Sequence, residues 1–274
     1  MFYTETMIKL AQQEDLGALK DYLGNEDPWT LFFYGDLYNY SIDSKKAKFY
    51  LGIKDKKISY LVLVFRNTLL QFYSRDENYD FEEAKAFLLS QKISVLSGKE
   101  DLLEPFLKFF PPKKLESTYL SVITKISQAP DFQLKEGFSI REITTKEEFR
   151  VYVRFLSEIK EFHSNSKSLN EDVESYFQEY EKGCHFIGVF NEKGELVSTV
   201  GSSADNDVSA MIVGVATLPS YRKLGLASLA LYQLVKKEFG LGKKYLALFY
   251  DNPLAGKIYH NLGFREIGKY GMLR

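Results

Sequence analysis

The sequence predicts an α/β protein of two tandem domains, each a mixed, mostly antiparallel sheet flanked by helices. Three observations carry this. The length of 274 residues exceeds a typical single domain and suits two of roughly 100 to 150 residues each. The order of predicted elements, a strand, two helices, a hairpin and then further strands and helices, runs through once and starts again after Ala129-Pro130. A local echo also falls at the same point of both passes: Tyr50-Leu51-Gly52-Ile53 before one charged turn and Phe186-Ile187-Gly188-Val189 before another. The expected division is residues 1–129 and 130–274, with the linker over Asp131 to Gly137.

In the first pass Phe2 to Leu10 reads as a strand and Asp15 to Leu23 as a helix closed by Gly24. A second helix covers Thr30 to Tyr40. Lys48 to Ile53 and Ile58 to Phe65 form an antiparallel hairpin around Lys54-Asp55-Lys56-Lys57, followed by a strand at Thr68 to Tyr73. Phe81 to Leu89 has helical spacing, Ile93 to Leu96 is a short strand, Leu102 to Phe109 a helix, and Leu115 to Ile126 closes the pass. The second pass repeats the pattern: strand Phe138 to Ile143, helices Thr145 to Ile159 and Asn170 to Tyr180, and a hairpin of His185 to Phe190 with Leu196 to Ser203. Strand Ala210 to Thr217 then leads into a helix ending near Glu238, before strand Tyr245 to Tyr250, helix Pro253 to Leu262 and a last strand or two over Phe264 to Leu273.

Composition narrows the function classes. Hydrophobic residues at 45% and charged residues at 27% are ordinary for a globular protein. A net charge of −1 supplies no general attraction for nucleic acid or an anionic membrane, so neither is an expected partner. Cys184, the single cysteine, allows no internal disulfide and reads as a core thiol. With only three histidines beside it, no metal site is expected. The N-terminal MFYTETMIKLAQQED lacks a basic region followed by a long apolar run, and no segment reaches the roughly 20 apolar residues that span a bilayer. A soluble cytoplasmic protein is the expectation.

The stretch Ala210 to Ala227, AMIVGVATLPSYRKLGLA, carries the strongest functional signal. A strand feeds a small-residue loop that opens a helix, and the first N–H groups of a helix are unpaired and attract phosphate. Gly225 and Ala227 leave room for close approach; Arg222 offers a two-pronged contact and Lys223 an undirected charge. The alternative is a plain turn before a surface helix. Farther on, Asn252 suits a helix N-cap and Pro253 the first helical position. The first pass has no such loop: Ser74-Arg75-Asp76-Glu77-Asn78-Tyr79-Asp80 holds no glycine and several carboxylates, which would repel phosphate.

The succession Val215-Ala216-Thr217-x-Pro219-x-Tyr221-Arg222-x-x-Gly225-x-Ala227, then Asn252-Pro253-x-Ala255-x-x-x-Tyr259-x-x-x-Gly263-Phe264, resembles the acyl-CoA core of the GNAT superfamily of N-acetyltransferases. The motifs cover roughly Phe138 to Arg274; the first half shares only the element order. The whole is therefore similar to tandem GNAT-like proteins with a degenerate first copy.

The resemblance implies acetyl-CoA as acyl donor, no metal, and a small-molecule or peptide amine as acceptor. It implies that Val215 and Thr217 offer backbone hydrogen bonds to pantetheine, that Leu224, Gly225, Leu226 and Ala227 with Arg222 cradle the pyrophosphate, and that Asn252 contacts the same molecule. Ala227 stands where the family commonly has glycine. Tyr259 matches the tyrosine beside the thioester sulfur. A tyrosine of ordinary pKa, about 10, does not readily protonate a thiolate of about 8.5, so its expected role is a hydrogen bond to developing charge. Many family members carry a glutamate on the fourth strand, whereas Ala210-Met211-Ile212-Val213 has no carboxylate. Asp205, Asp207, Glu158, Glu174 and His163 are weighed as bases, and each reads better as a surface residue. Two rival readings remain: an acyl-CoA-binding sensor or partner-binding module without turnover, and an aminoacyl transferase using charged tRNA, which the near-neutral charge and the phosphate loop disfavour.

Overall fold

Strand β3 (Lys57–Phe65, KISYLVLVF) shows how the first half is built. Its alternate residues Leu61 and Leu63 enter one core with Leu19, Leu23, Phe33 and Leu37, while Tyr60, Val62 and Val64 enter another with Ala84, Leu88 and Phe106. Helices therefore cover both faces, and a near-continuous apolar strand satisfies each. The structure, a computed structural model, describes residues 6–24, 27–131, 133–162 and 168–274. The expected strand start at Phe2 lies outside them.

Two compact units emerge. Unit 1 comprises Met1–Leu120, Phe249–Asp251 and Glu266–Arg274, and unit 2 comprises Ser121–Leu248 and Asn252–Arg265. Membership follows strand pairing rather than a single cut in the chain.

In unit 1, β1 (Thr6–Leu10) is followed by α1 (Leu16–Leu23), α2 (Leu31–Tyr40), β2 (Ala47–Lys54), β3, β4 (Leu69–Tyr73), α3 (Phe81–Ser90), β5 (Val95–Lys99), α4 (Glu100–Leu103) and β6 (Leu115–Ile123). The sheet order β1-β2-β3-β4-β5 is antiparallel except for the parallel β4–β5 pair. The helix expected at Leu102 to Phe109 is instead the one-turn α4 and a tighter 3₁₀ stretch over Glu104–Phe109, because Pro105 cannot donate to an α-helical ladder.

Unit 2 repeats the plan with β7 (Ser139–Glu142), α5 (Lys146–Ser157), α6 (Leu169–Glu181), β8 (Phe186–Phe190), β9 (Leu196–Ser203), β10 (Ser209–Thr217), α7 (Leu226–Gly240), β11 (Tyr245–Tyr250) and α8 (Pro253–Leu262). Its order is β7-β8-β9-β10-β11, with β10 and β11 parallel. Thr145 starts α5 through a capping box: its side chain accepts from Glu148 N, and the Glu148 carboxylate accepts from the Thr144 and Thr145 amides. The chain ends in one strand, β12 (Arg265–Leu273), where the sequence suggested one or two. Its Tyr270–Leu273 pair antiparallel with Leu96–Lys99 of β5, so unit 1 closes its sheet with the last strand of the chain.

The parallel pair differs between the units. In unit 1, β4 keeps its β5 partners from Leu69 to Phe72, so the two strands stay together almost to the end of β4. A Cβ placed on Gly98 would lie 2.4 Å from the Phe72 carbonyl oxygen. Gly98→Ala is accordingly expected to destabilise the protein by roughly 1 to 3 kcal/mol through overpacking against backbone, measured as a lower midpoint in urea.

Candidate functional site

In unit 2 the parallel pair opens. Residues Ser209, Ala210 and Met211 of β10 face Tyr245, Leu246 and Ala247 of β11, and beyond Met211 the register has no further β10–β11 pair among the described residues. β10 nevertheless runs on to Thr217, held by β9 alone: Val213 pairs with Gly201, and the ladder resumes at Ala216 with Thr199. The skipped residues are Gly214 and Val215. Gly214 has φ +61°, a left-handed conformation that favours glycine, and a Cβ there would lie 2.5 Å from the Tyr152 hydroxyl oxygen. The shift inserts one extra residue, a bulge that sets in just beyond the last β10–β11 pair.

The far end of β10 is tied down by side chains. Ser198 Oγ donates to the Ala216 carbonyl at 2.9 Å and lies 2.8 Å from Thr217 Oγ1. Arg222 Nε donates to the Thr217 carbonyl at 3.2 Å, while Nη2 lies 3.5 Å from Glu161. The Thr217 carbonyl is therefore already engaged, and Arg222 lies across the strand end. Lys223 at φ +64° and Gly225 at φ +78° turn the loop so that α7 starts at Leu226 with Gly225 as its N-cap. No side chain caps this end. Leu224 and Ala227 are partly exposed and Leu226 is buried, so the first-turn N–H groups border solvent beside two exposed cations, Arg222 and Lys223.

The counterpart in unit 1 is closed to anions. Asp80 caps α3 by accepting from Glu83 N at 2.9 Å, and Glu82 and Glu83 occupy the first turn. A carboxylate fills the place that phosphate oxygens would take.

Asn252 is exposed and caps α8, its Oδ1 accepting from Leu254 N at 2.9 Å. Tyr259 sits within α8, which packs against α7; its side chain is buried beside Phe264, with ring centroids 6.1 Å apart. Burial pushes its hydroxyl pKa up to about 12. It is thus protonated throughout the working range, and full transfer of its proton to a thiolate of about 8.5 is uphill by about 5 kcal/mol.

The carboxylates weighed as bases are otherwise occupied or remote. Lys146, 2.8 Å from Glu174, holds that carboxyl below its ordinary value. Burial pushes the Asp205 carboxyl up, against the pull of Lys243 at 2.8 Å, and Asp205 precedes β10 at the end opposite the loop. Glu158 and Asp207 are exposed, and His163 lies outside the described residues. Cys184 is a core thiol: it is buried beside Phe149 and Phe186, and burial pushes its pKa up.

Sequence reasoning missed Gly214 and Tyr152. A glycine inside an otherwise apolar strand is a bulge signal that could have found the first. Nothing local marks Tyr152 among nineteen tyrosines.

Comparison with known proteins bears on the fold and on part of the sequence. The model of the acetyltransferase (GNAT) family matches residues 152–264. Over 98% of the chain the fold is similar to a Drosophila protein (TM-score 0.73, 14% identity, 98% of that chain covered). It is similar over the same share to a GCN5-related N-acetyltransferase from Sphaerobacter thermophilus (TM-score 0.68, 14% identity, 94% of that chain). A tandem GNAT protein from the clavulanic acid biosynthesis pathway is also similar over 98% of both chains, with a TM-score of 0.59 and 11% identity. At these identities the likeness concerns the fold. No curated protein matches the chain by sequence. The α/β class with mostly antiparallel sheets, and the GNAT resemblance, thus hold.

Gly214→Ala combines a strained backbone with a clash against Tyr152. It is expected to cost roughly 2 to 4 kcal/mol of stability, read as a lowered Tm, and to weaken any ligand of the β10–β11 gap more than Ala216→Gly does.

Proposed function

We propose that the chain is an acyl-CoA-dependent N-acyltransferase that moves acetyl from acetyl-CoA to a primary amine by direct attack, with the chemistry in residues 130–274. The observation that carries this reading is the parting of β10 from β11 after Met211, just before the Gly214 bulge, together with the uncapped, cation-flanked start of α7. A thioester on a long flexible arm ending in a pyrophosphate suits such a gap: the arm enters between the strands and the pyrophosphate meets the helix N-terminus.

The residues present suit the roles that the family resemblance implies. Peptide groups at Val215 and Thr217 line the strand edge, with the Thr217 carbonyl shared with Arg222. Backbone N–H groups of Leu224, Gly225, Leu226 and Ala227, with Arg222 and Lys223, hold the pyrophosphate, and Asn252 lies at the start of the next helix. Bound acetyl-CoA supplies an activated thioester. The neutral amine forms a C–N bond at the carbonyl carbon, the C–S bond breaks, and the proton lost by the nitrogen ends on the departing sulfur or on solvent. Tyr259 is the group beside that sulfur, as a hydrogen-bond donor rather than a full acid, because its pKa is pushed up to about 12. Alignment of the two reactants provides the remaining assistance. No metal takes part, and the setting is cytoplasmic.

A second reading is favoured by one feature. β10 carries no carboxylate and Glu174 is tied to Lys146, which suits a protein that binds acyl-CoA without turning it over.

Incubation with acetyl-CoA and a panel of small amines and peptides, following free thiol, separates the two. Thiol release that depends on the amine supports transfer; tight acetyl-CoA binding without release for any amine supports the sensor. For the transferase, Tyr259→Phe is expected to lower kcat by on the order of 10²-fold with acyl-CoA binding near wild type. Unchanged turnover would remove Tyr259 from the mechanism.

A further inference from the structure

The Tyr152 hydroxyl lies beside the bulge in β10 and has no part in the chemistry described above. Its ring is wedged edge-on among Phe149, Tyr176 and Phe186, with centroids 6.1, 5.1 and 5.4 Å away, so the direction of the C–O bond is fixed by packing. The side chain is fully buried, and its oxygen has no hydrogen-bond partner among the described residues. Such a group weakens a fold, whereas phenylalanine would fill the same space without leaving a polar atom unmatched.

The place where the oxygen points gives the hydroxyl a use. It lies against Gly214, at the point where β10 has left both its β11 partners and the β9 register. One hydroxyl without a hydrogen-bond partner among the described residues therefore lies at the bulge of Gly214 and Val215, just past the last β10–β11 pair. We infer that Tyr152 reads the acyl group of the donor, its hydroxyl donating a hydrogen bond to the thioester carbonyl oxygen seated at the bulge. The inference rests on the acyl-CoA reading above.

The chemistry is complementary. Burial raises the Tyr152 pKa, so the hydroxyl stays a donor at any working pH, and a thioester carbonyl is an acceptor only. The hydroxyl is now covered by the Gly214 segment, and a residue without a side chain is where that segment can yield as the thioester enters. Free CoA carries no carbonyl at this position and leaves the hydroxyl unmatched. Tyr152 thereby favours the acylated donor over the spent product, and its hydrogen bond strengthens as negative charge gathers on the oxygen during attack.

Calorimetric titration of the full chain with acetyl-CoA and with CoA tests this in wild type, Tyr152→Phe and Tyr176→Phe. Wild type is expected to prefer acetyl-CoA by roughly tenfold, the worth of one well-placed hydrogen bond. Tyr152→Phe is expected to bind CoA as wild type does, to lose the preference, and to melt at the same or a higher temperature without ligand. Tyr176→Phe removes a neighbouring hydroxyl and keeps the preference. The inference is overturned by an unchanged ratio in Tyr152→Phe, by an equal loss in Tyr176→Phe, or by a wild type that binds both ligands alike. A wild type that binds neither overturns the acyl-CoA reading and this inference together. One that prefers acetyl-CoA yet transfers nothing overturns only the transferase, and the Tyr152 ratio then decides this inference by itself.

Discussion

A strand inside a sheet has two edges of backbone donors and acceptors, and buried ones must be matched. β10 satisfies one edge against β9 along most of its length and gives up the other after Met211. The rest of unit 2's candidate site depends on that surrender. Glycine at φ +61° permits the bulge, Ser198 and Arg222 hold the strand end in its displaced course, and the loop through Lys223 and Gly225 delivers α7 with an open N-terminus. Backbone that is left without a ladder in an otherwise well-paired sheet is backbone available to a ligand.

Unit 1 shows the same plan with that constraint relaxed. β4 is four residues shorter than β10, nine against five, and stays paired with β5 through Phe72. Gly98 lets the two strands close on each other, and Asp80 with Glu82 and Glu83 converts the start of α3 from an anion site into a self-capped end. Aromatic side chains take up the adjoining space, with Phe72, Tyr79, Phe81 and Phe106 in mutual contact. The start of α3 is thus capped by the chain's own carboxylate, where the start of α7 has no side-chain cap.

Polar groups around the unit 2 site divide into spent and unspent. The carboxylates Glu174 and Asp205 are matched by lysines, and Thr217 by Ser198 and Arg222. The buried Tyr152 hydroxyl has no hydrogen-bond partner among the described residues, a cost that packing alone does not explain. Tyr259, also buried and with its pKa raised, shows why tyrosine suits such surroundings: it remains a neutral donor where a carboxylate would have to be desolvated.

The sequence by itself determined whatever short-range chemistry decides. The element order, the Asn252 cap, the glycine-bearing loop at Arg222 to Ala227 and its acidic counterpart at Ser74 to Asp80 were all legible there. Each depends on residues within a turn or two of one another. The helix expected over Leu102 to Phe109 was misjudged at Pro105, and the choice between one and two strands at the chain's end was left open, both at element boundaries where local preferences are weakest. Only the tertiary structure decided where β10 leaves β11, that the last strand of the chain pairs with β5, and that Tyr152 meets Gly214. Those outcomes turn on contacts between residues far apart in the chain. A period-2 apolar pattern states that a strand is buried, but not which edge of it remains unpaired.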